Sequence, residues 1–303
     1  MFCKLSKIIS STLILLVIAL NNTAFAFELG PVQVHGFLNQ GYIYSNGNEY
    51  LPGSDKGGSF DFTNAGINFL YRPTNKLILA TQLISRNFGN AHSNEKDIAL
   101  DYMFASYNLI SSYKNELIAS AGRIKTTYGI FNNNRNIPFT HVGIISDQTL
   151  YSEYDRHLTL YGDGISLDYT RKEEVGNFRI IYQNAKLADD KDDAFATTPQ
   201  LLPYMTEFKG VNAQVIQTIF EQPELGLEFS FSHSQIDVDK ILLENIPDPQ
   251  SGFFVNRAWA QHAKNNIISA KYQNEDYTLT AEYMNRSITH NYNDYIIALA
   301  ANI

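Results

Sequence analysis

Stretches of about ten residues alternate apolar with polar side chains along nearly the whole chain, and the connections between them are short and long in strict turn. Leu225, Leu227, Phe229 and Phe231 alternate with Gly226, Glu228, Ser230 and Ser232; Tyr277, Leu279, Ala281 and Tyr283 alternate with Thr278, Thr280 and Glu282. Ile165, Leu167 and Tyr169 alternate with Ser166, Asp168 and Thr170 in the same way. Period 2 is the signature of a strand with one apolar face. The pattern predicts strands near 32–45, 60–71, 76–87, 97–109, 115–126, 162–171, 176–186, 208–220, 224–237, 264–273 and 276–287, with a twelfth over 293–303. No stretch of helical period competes, and no shift of composition marks a domain linker.

The connections narrow the fold class. Pro73-Thr74-Asn75, Ile110 to Lys114, Lys172 to Val175, Glu221-Gln222-Pro223 and Asn274-Glu275 are tight turns. The other links run over about 46–59, 88–96, 127–161, 187–207 and 238–263. A soluble sandwich has no reason to gather every long link at one end. A transmembrane β-barrel does, with short periplasmic turns, long external loops, and strands that turn apolar side chains to lipid and polar ones to the lumen. Closure also pairs every backbone N–H and C=O, which hydrocarbon demands. The expected class is therefore all-β, an antiparallel transmembrane β-barrel. Tyrosines near strand ends, among them Tyr42, Tyr71, Tyr107 and Tyr169, suit the headgroup levels of a membrane.

The N-terminus reads as an export address. Lys4 and Lys7 precede an apolar run from Ile8 to Leu20, and Ala24-Phe25-Ala26 is a small-x-small cleavage site. Residues 1–26 are expected to be a signal peptide and 27–303 the barrel domain, 303 − 26 = 277 residues long. The run is shorter than the ~20 residues of a membrane-spanning helix. Cleavage removes two lysines and no acids, so the mature charge is 21 − 31 = −10. That acidity argues against a nucleic-acid partner, which needs a basic surface. The only cysteine, Cys3, lies in the removable segment, so no disulfide scaffold is expected.

The longest link, about Thr127 to Tyr161, carries the charges of greatest interest. Arg123 and Lys125 precede it on one strand face at i, i+2, and Arg135, Asp147, Glu153, Asp155 and Arg156 follow within it. Phe131, Ile137, Phe139, Val142, Ile144 and Ile145 need a surface to pack on, and the inner barrel wall offers one. Folded inward, the link would narrow the lumen, where fixed charges decide which ions enter; the alternative is a loop packed over the outer rim. On a lipid-facing wall near the midplane a basic residue costs ~2–4 kcal/mol, so Arg123 and Lys125 are expected to face the lumen and attract anions locally. Asp168, Arg179, Glu228, Lys271 and Glu282 fall on polar strand positions and are further candidates for the pore lining.

Gly122-Arg123-Ile124-Lys125-Thr126-Thr127-Tyr128-Gly129-Ile130-Phe131-Asn132, followed by Arg135-Asn136-Ile137-Pro138-Phe139-Thr140, resembles the strand-to-loop passage of DcaP-like and phosphate-selective outer-membrane porins of Gram-negative bacteria. Tyr151 and Gly162-Asp163-Gly164-Ile165 are similar to the family's return into the next strand. Thr127 stands where the family has Pro, and Asn136 where it has Asp. The resemblance implies a homotrimer of sixteen-stranded passive channels with the third external loop in the lumen. It also implies that Arg123, Lys125 and Arg135 can contribute to the pore's charge. Sixteen strands with such loops need ~370–400 mature residues at the length per strand seen here. The chain is therefore expected to be such a porin lacking its last strands, with a complete twelve-stranded barrel as the alternative.

Enzymatic arrangements are not expected. His233 is flanked by Ser232 and Ser234, a spacing that sends the side chains to opposite faces, whereas a barrel hydrolase needs them to meet. His92-Ser93 has the same fault, and Asp155-His157 sits in a charged loop. Asp189-Asp190-Lys191-Asp192-Asp193 lacks the spacing and glycine of a calcium loop. No cofactor is expected. The leading expectation is a passive water-filled channel for small hydrophilic solutes or ions, exported to the outer membrane and bedded in its lipid. The rival is a non-conducting barrel that acts as a surface receptor or adhesin through its external loops.

Overall fold

The computed structural model describes residues 23–46, 57–88, 95–137, 140, 150–151, 156, 159–187, 203–247 and 254–293. Among the described residues twelve strands form one antiparallel sheet whose spatial order is the sequence order. They are β1 (Thr23–Leu29), β2 (Val32–Ile43), β3 (Ser59–Tyr71), β4 (Leu77–Phe88), β5 (Glu95–Ser111), β6 (Asn115–Lys125), β7 (Tyr161–Glu173), β8 (Gly176–Lys186), β9 (Met205–Gln222), β10 (Leu227–Pro247), β11 (Phe254–Gln273) and β12 (Thr278–Asn293). The eleven strands expected from 32 to 287 all form. The twelfth expected strand, over 293–303, lies outside the described residues beyond Asn293. Among the described residues no helix is long and apolar enough to cross a membrane.

An additional strand lies at the start. β1 pairs with β2 from Thr23↔Leu38 to Leu29↔Val32, and Gly30, at φ 60, makes the tight turn between them. The expected cleavage after Ala26 falls inside this strand. Ala24-Phe25-Ala26-Phe27 satisfies both patterns at once, small residues for cleavage and alternation for pairing.

Short and long connections alternate as expected, with one correction. The link expected over 238–263 is mostly strand: β10 runs to Pro247 and β11 starts at Phe254. Two features hide this extension from a period-2 reading. Register shifts between Val238 and Ile241 and between Leu243 and Ile246 interrupt the alternation. The polarity of the two faces also inverts there.

That inversion is visible strand by strand. On β8 the outward row reads Phe178, Ile180, Tyr182, then Asn184 and Lys186; on β10 it reads Phe229, Phe231, then His233, Gln235 and Asp237. On β9 it passes from Phe220 and Ile216 to Gln214 and Asn212, and on β11 from Ile268 to Asn266 and Lys264. The register sets Tyr182 beside Ile216, Ile216 beside His233 and His233 beside Asn266, so all four strands switch at one level. Below it Phe178, Ile180, Ile216, Phe229, Phe231 and Ile268 are exposed, while Ser230, Ser232, Gln217 and Ser269 on the opposite face are buried. Above it the inner face becomes an apolar core of Val211, Ala213, Ile236, Val238, Ile241, Leu243 and Ala263. A water-soluble sheet buries its apolar face throughout. Apolar outside with polar inside is the order of a strand in a lipid-facing band, and the switch is that of a strand leaving the band for water.

Candidate functional site: a segment held against the polar face

The segment between β6 and β7 closes on itself at its base. Thr126 N–H donates to the Leu160 carbonyl at 2.9 Å. The buried Asn132 amide donates to the carbonyls of both Thr126, at 2.8 Å, and Thr159, at 2.7 Å, tying the outgoing and returning chains together.

From this base the described part of the segment lies on the polar face and meets strands far apart in the sheet. Thr127 N–H donates to Gln183 Oε1 on β8 at 2.8 Å. Gly129 N–H donates to Ser232 Oγ on β10 at 3.0 Å, and Gln217 Nε2 on β9 donates to the Gly129 carbonyl at 2.8 Å. Ile130 N–H donates to Glu282 Oε1 on β12 at 2.8 Å. At the other end Asn64 Nδ2 on β3 donates to the Asn136 carbonyl at 2.8 Å, and Asn136 Nδ2 donates to Asp101 Oδ1 on β5 at 2.6 Å.

These contacts fix the shape of the sheet. β3 and β12 are nine strand positions apart in the sheet order, so a flat sheet would separate them by ~43 Å at ~4.8 Å per strand. Yet Ile130 and Asn136 reach one each, and six residues of extended chain span at most ~21 Å. The sheet is therefore rolled around the segment, polar face inward.

Asp101 is the centre of one cluster. It is fully buried and accepts from Gln82 Nε2 at 2.7 Å, from Asn136 and from the Lys125 ammonium. A register shift at this point of β5, where the partner of Gln82 is Tyr102 and that of Leu83 is Leu100, leaves Asp101 out of the ladder. Arg156, fully buried, bonds to the Asn136 side chain; Arg135, also buried, donates to Asn132 Oδ1 at 3.4 Å.

The structure redistributes the expected lining residues. Arg123 and Lys125 do share a strand face, but it is the other one. The register sets Arg123 beside Met103 and Asp163, in the row of Ala105, Ile165, Leu167 and Tyr107, which is the exposed apolar row. The reason is position: both lie at the upper end of β6 rather than near mid-height, where an ion pair can form. Arg123 Nε donates to Asp163 Oδ1 at 3.0 Å, and its guanidinium lies 5.2 Å from the Tyr161 ring centre. Lys125 turns back past the end of the β5–β6 pairing to Asp101. Arg135 and Arg156 are interior to the segment. Asp147, Glu153 and Asp155 lie outside the described residues.

Asp168, Arg179, Glu228, Lys271 and Glu282 are on the polar face. Arg179 Nε donates to Asp168 Oδ1 at 2.9 Å. Glu228 stands between Glu221 and Lys271 in the register, beside an open pocket of about 700 Å³ at the short-turn end. Ser232 is buried under Gly129, while the His233 ring points outward and meets Asn266 Oδ1 at 2.8 Å. The residues that hold the segment and that sequence reading passes over are Asn64, Gln82, Asp101, Gln183 and Gln217. Asp101 leaves one signal, an acid set within the otherwise apolar or aromatic run from Ile98 to Ala105.

No protein-family model matches the sequence, and no curated protein matches it. A solved structure that is similar is the crystal structure of Pseudomonas aeruginosa OccD3 (OpdP), at 11% identity and a TM-score of 0.37, over 88% of this chain and 63% of that one. This chain thus spans less than two thirds of the length of that protein.

Proposed function

We propose that the protein is an outer-membrane porin, a passive water-filled channel for small hydrophilic solutes or ions, with the β6–β7 segment as its constriction. The observation that carries the reading is the pair of opposed faces: an exposed apolar row outside, and inside a polar wall crossed by a segment hydrogen-bonded to β3, β5, β8, β9, β10 and β12. Within the band whose outer row is apolar, the inner wall of Ser, Asn, Gln and paired charges solvates water and ions; the apolar core of Val211, Ile236, Val238, Ile241 and Leu243 lies above that band. Gradients drive the flux, so the channel needs no cofactor. Residues 1–26 serve the export that such a location requires.

The purified protein, folded in detergent, is expected to open stable ohmic channels in planar bilayers. If a folded preparation passes no ions, the channel reading fails and a receptor built on the external ends of β9 to β11 takes its place. Arg123→Ala is expected to leave the reversal potential in a salt gradient unchanged, because its guanidinium is outside the lumen and tied to Asp163. A shift toward cations in that variant would return Arg123 to the conducting path.

A further inference from the structure

We propose that Glu282 is the positioning residue of the constriction: it fastens Gly129–Phe131 to the wall and keeps the conducting path steady. The inference rests on the channel reading above. As a polar-face residue of β12, Glu282 would pass for one more lining charge. Its carboxylate is instead engaged on both oxygens. Oε1 accepts from Ile130 N–H at 2.8 Å and from Ser269 Oγ at 2.8 Å; Oε2 accepts from the Tyr151 hydroxyl at 2.7 Å. That hydroxyl in turn accepts from Ile130 N–H at 3.0 Å and from Phe131 N–H at 3.2 Å.

The arrangement has few substitutes. Three successive backbone N–H groups, of Gly129, Ile130 and Phe131, end on side chains rather than on backbone. Such groups are costly to leave unpaired when buried. A carboxylate offers two oxygens and about four acceptor positions, and its hydrogen bonds are about twice as strong as neutral ones. Tyr151 is fully buried, and burial raises its phenol far above the usual range, so it remains a donor. Gly129 sits at φ +61, and a Cβ there would lie 2.1 Å from the Tyr151 oxygen and 2.9 Å from Glu282 Oε1. Only glycine lets the chain approach the pair. Beneath them Val215 and Ile267 pack against Tyr128 and Tyr151, whose rings stack at 6.1 Å.

Single-channel recording of Glu282→Ala and Tyr151→Phe tests the role. In each variant brief closures should become about tenfold more frequent, as a charge-assisted bond is lost. Because the two residues act as one unit, the double variant should close no more often than either single one. Glu282→Gln, which keeps the Oε1 acceptor, should fall between. Tyr151→Phe alters no strand, so it reports even where a β12 variant folds poorly. Amide hydrogen exchange at Ile130 and Phe131 reads the attachment without conduction and should accelerate about tenfold in both variants. Exchange and closure rates equal to those of the parent protein would overturn the role of Glu282 while leaving the channel reading intact. A parent protein that never conducts overturns the channel reading, and with it the steadying role.

Discussion

Replacing Asp101 by alanine is expected to cost about 3–5 kcal/mol of stability, the loss typical of a buried ion pair broken on one side. Asp101 is fully buried, and its Lys125 partner is only 12% exposed. Without the carboxylate the nearly buried Lys125 ammonium loses this ion pair, and Gln82 and Asn136 each lose the acceptor they donate to. The double variant Asp101→Ala with Lys125→Met removes both charges together and should recover much of the loss, since replacing a buried pair by apolar groups is often neutral. Denaturant unfolding in detergent, read as the loss of the compact gel-mobility form, measures both. If Asp101→Ala unfolds at the same midpoint as the parent protein, the cluster contributes nothing and the Asn136 end of the segment is held by other means.

Gly122→Ala should be nearly as damaging, for a backbone reason. Gly122 has φ +128, and a Cβ built there would lie 2.3 Å from the Met103 carbonyl oxygen and 2.9 Å from the Phe104 Cα. Its cross-strand partner Gly164 is equally confined, with a Cβ 2.1 Å from the Asn184 carbonyl. None of these neighbours is a flexible side-chain tip that could turn away. Strain and overlap together should cost about 3 kcal/mol or more. Gly30→Ala is the control: φ is +60 but nothing lies within 4 Å of its Cβ, so only the ~1–2 kcal/mol conformational term applies. Equal unfolding midpoints for the two variants would show that the β5–β6–β7 backbones have room to separate.

The strands were legible because lipid on one side and a polar wall on the other force a strict two-residue alternation, as in Phe229 to Ser232. The same rule fails above the level where the two faces exchange polarity. Ile236, Val238, Ile241 and Leu243 are as apolar as a lipid face, yet they point inward, and the bulges around Lys240 and Asn245 break the count. The face of Arg123 was not readable for a different reason. Spacing at i, i+2 fixes that Arg123 and Lys125 go together, but Ala119 and Ala121 on their side differ too little from Ser120 and Gly122 on the other to say which side is which. The segment's anchors were out of reach as well. Nothing local marks Gln217 or Ser232 as the partners of a glycine about ninety to a hundred positions earlier.

Those anchors also order events in time. Every strand pairs with its neighbour in sequence, so the sheet can assemble by short closures, hairpin upon hairpin, as the chain is delivered. The bond from Ile130 to Glu282 joins residues 152 positions apart. A closure of that length carries an entropic cost that intervening strands must already have met by taking their places. The inner segment is therefore a late arrival: it cannot choose the register of the wall it rests on, and its attachment at Ile130 waits until β12 is in place.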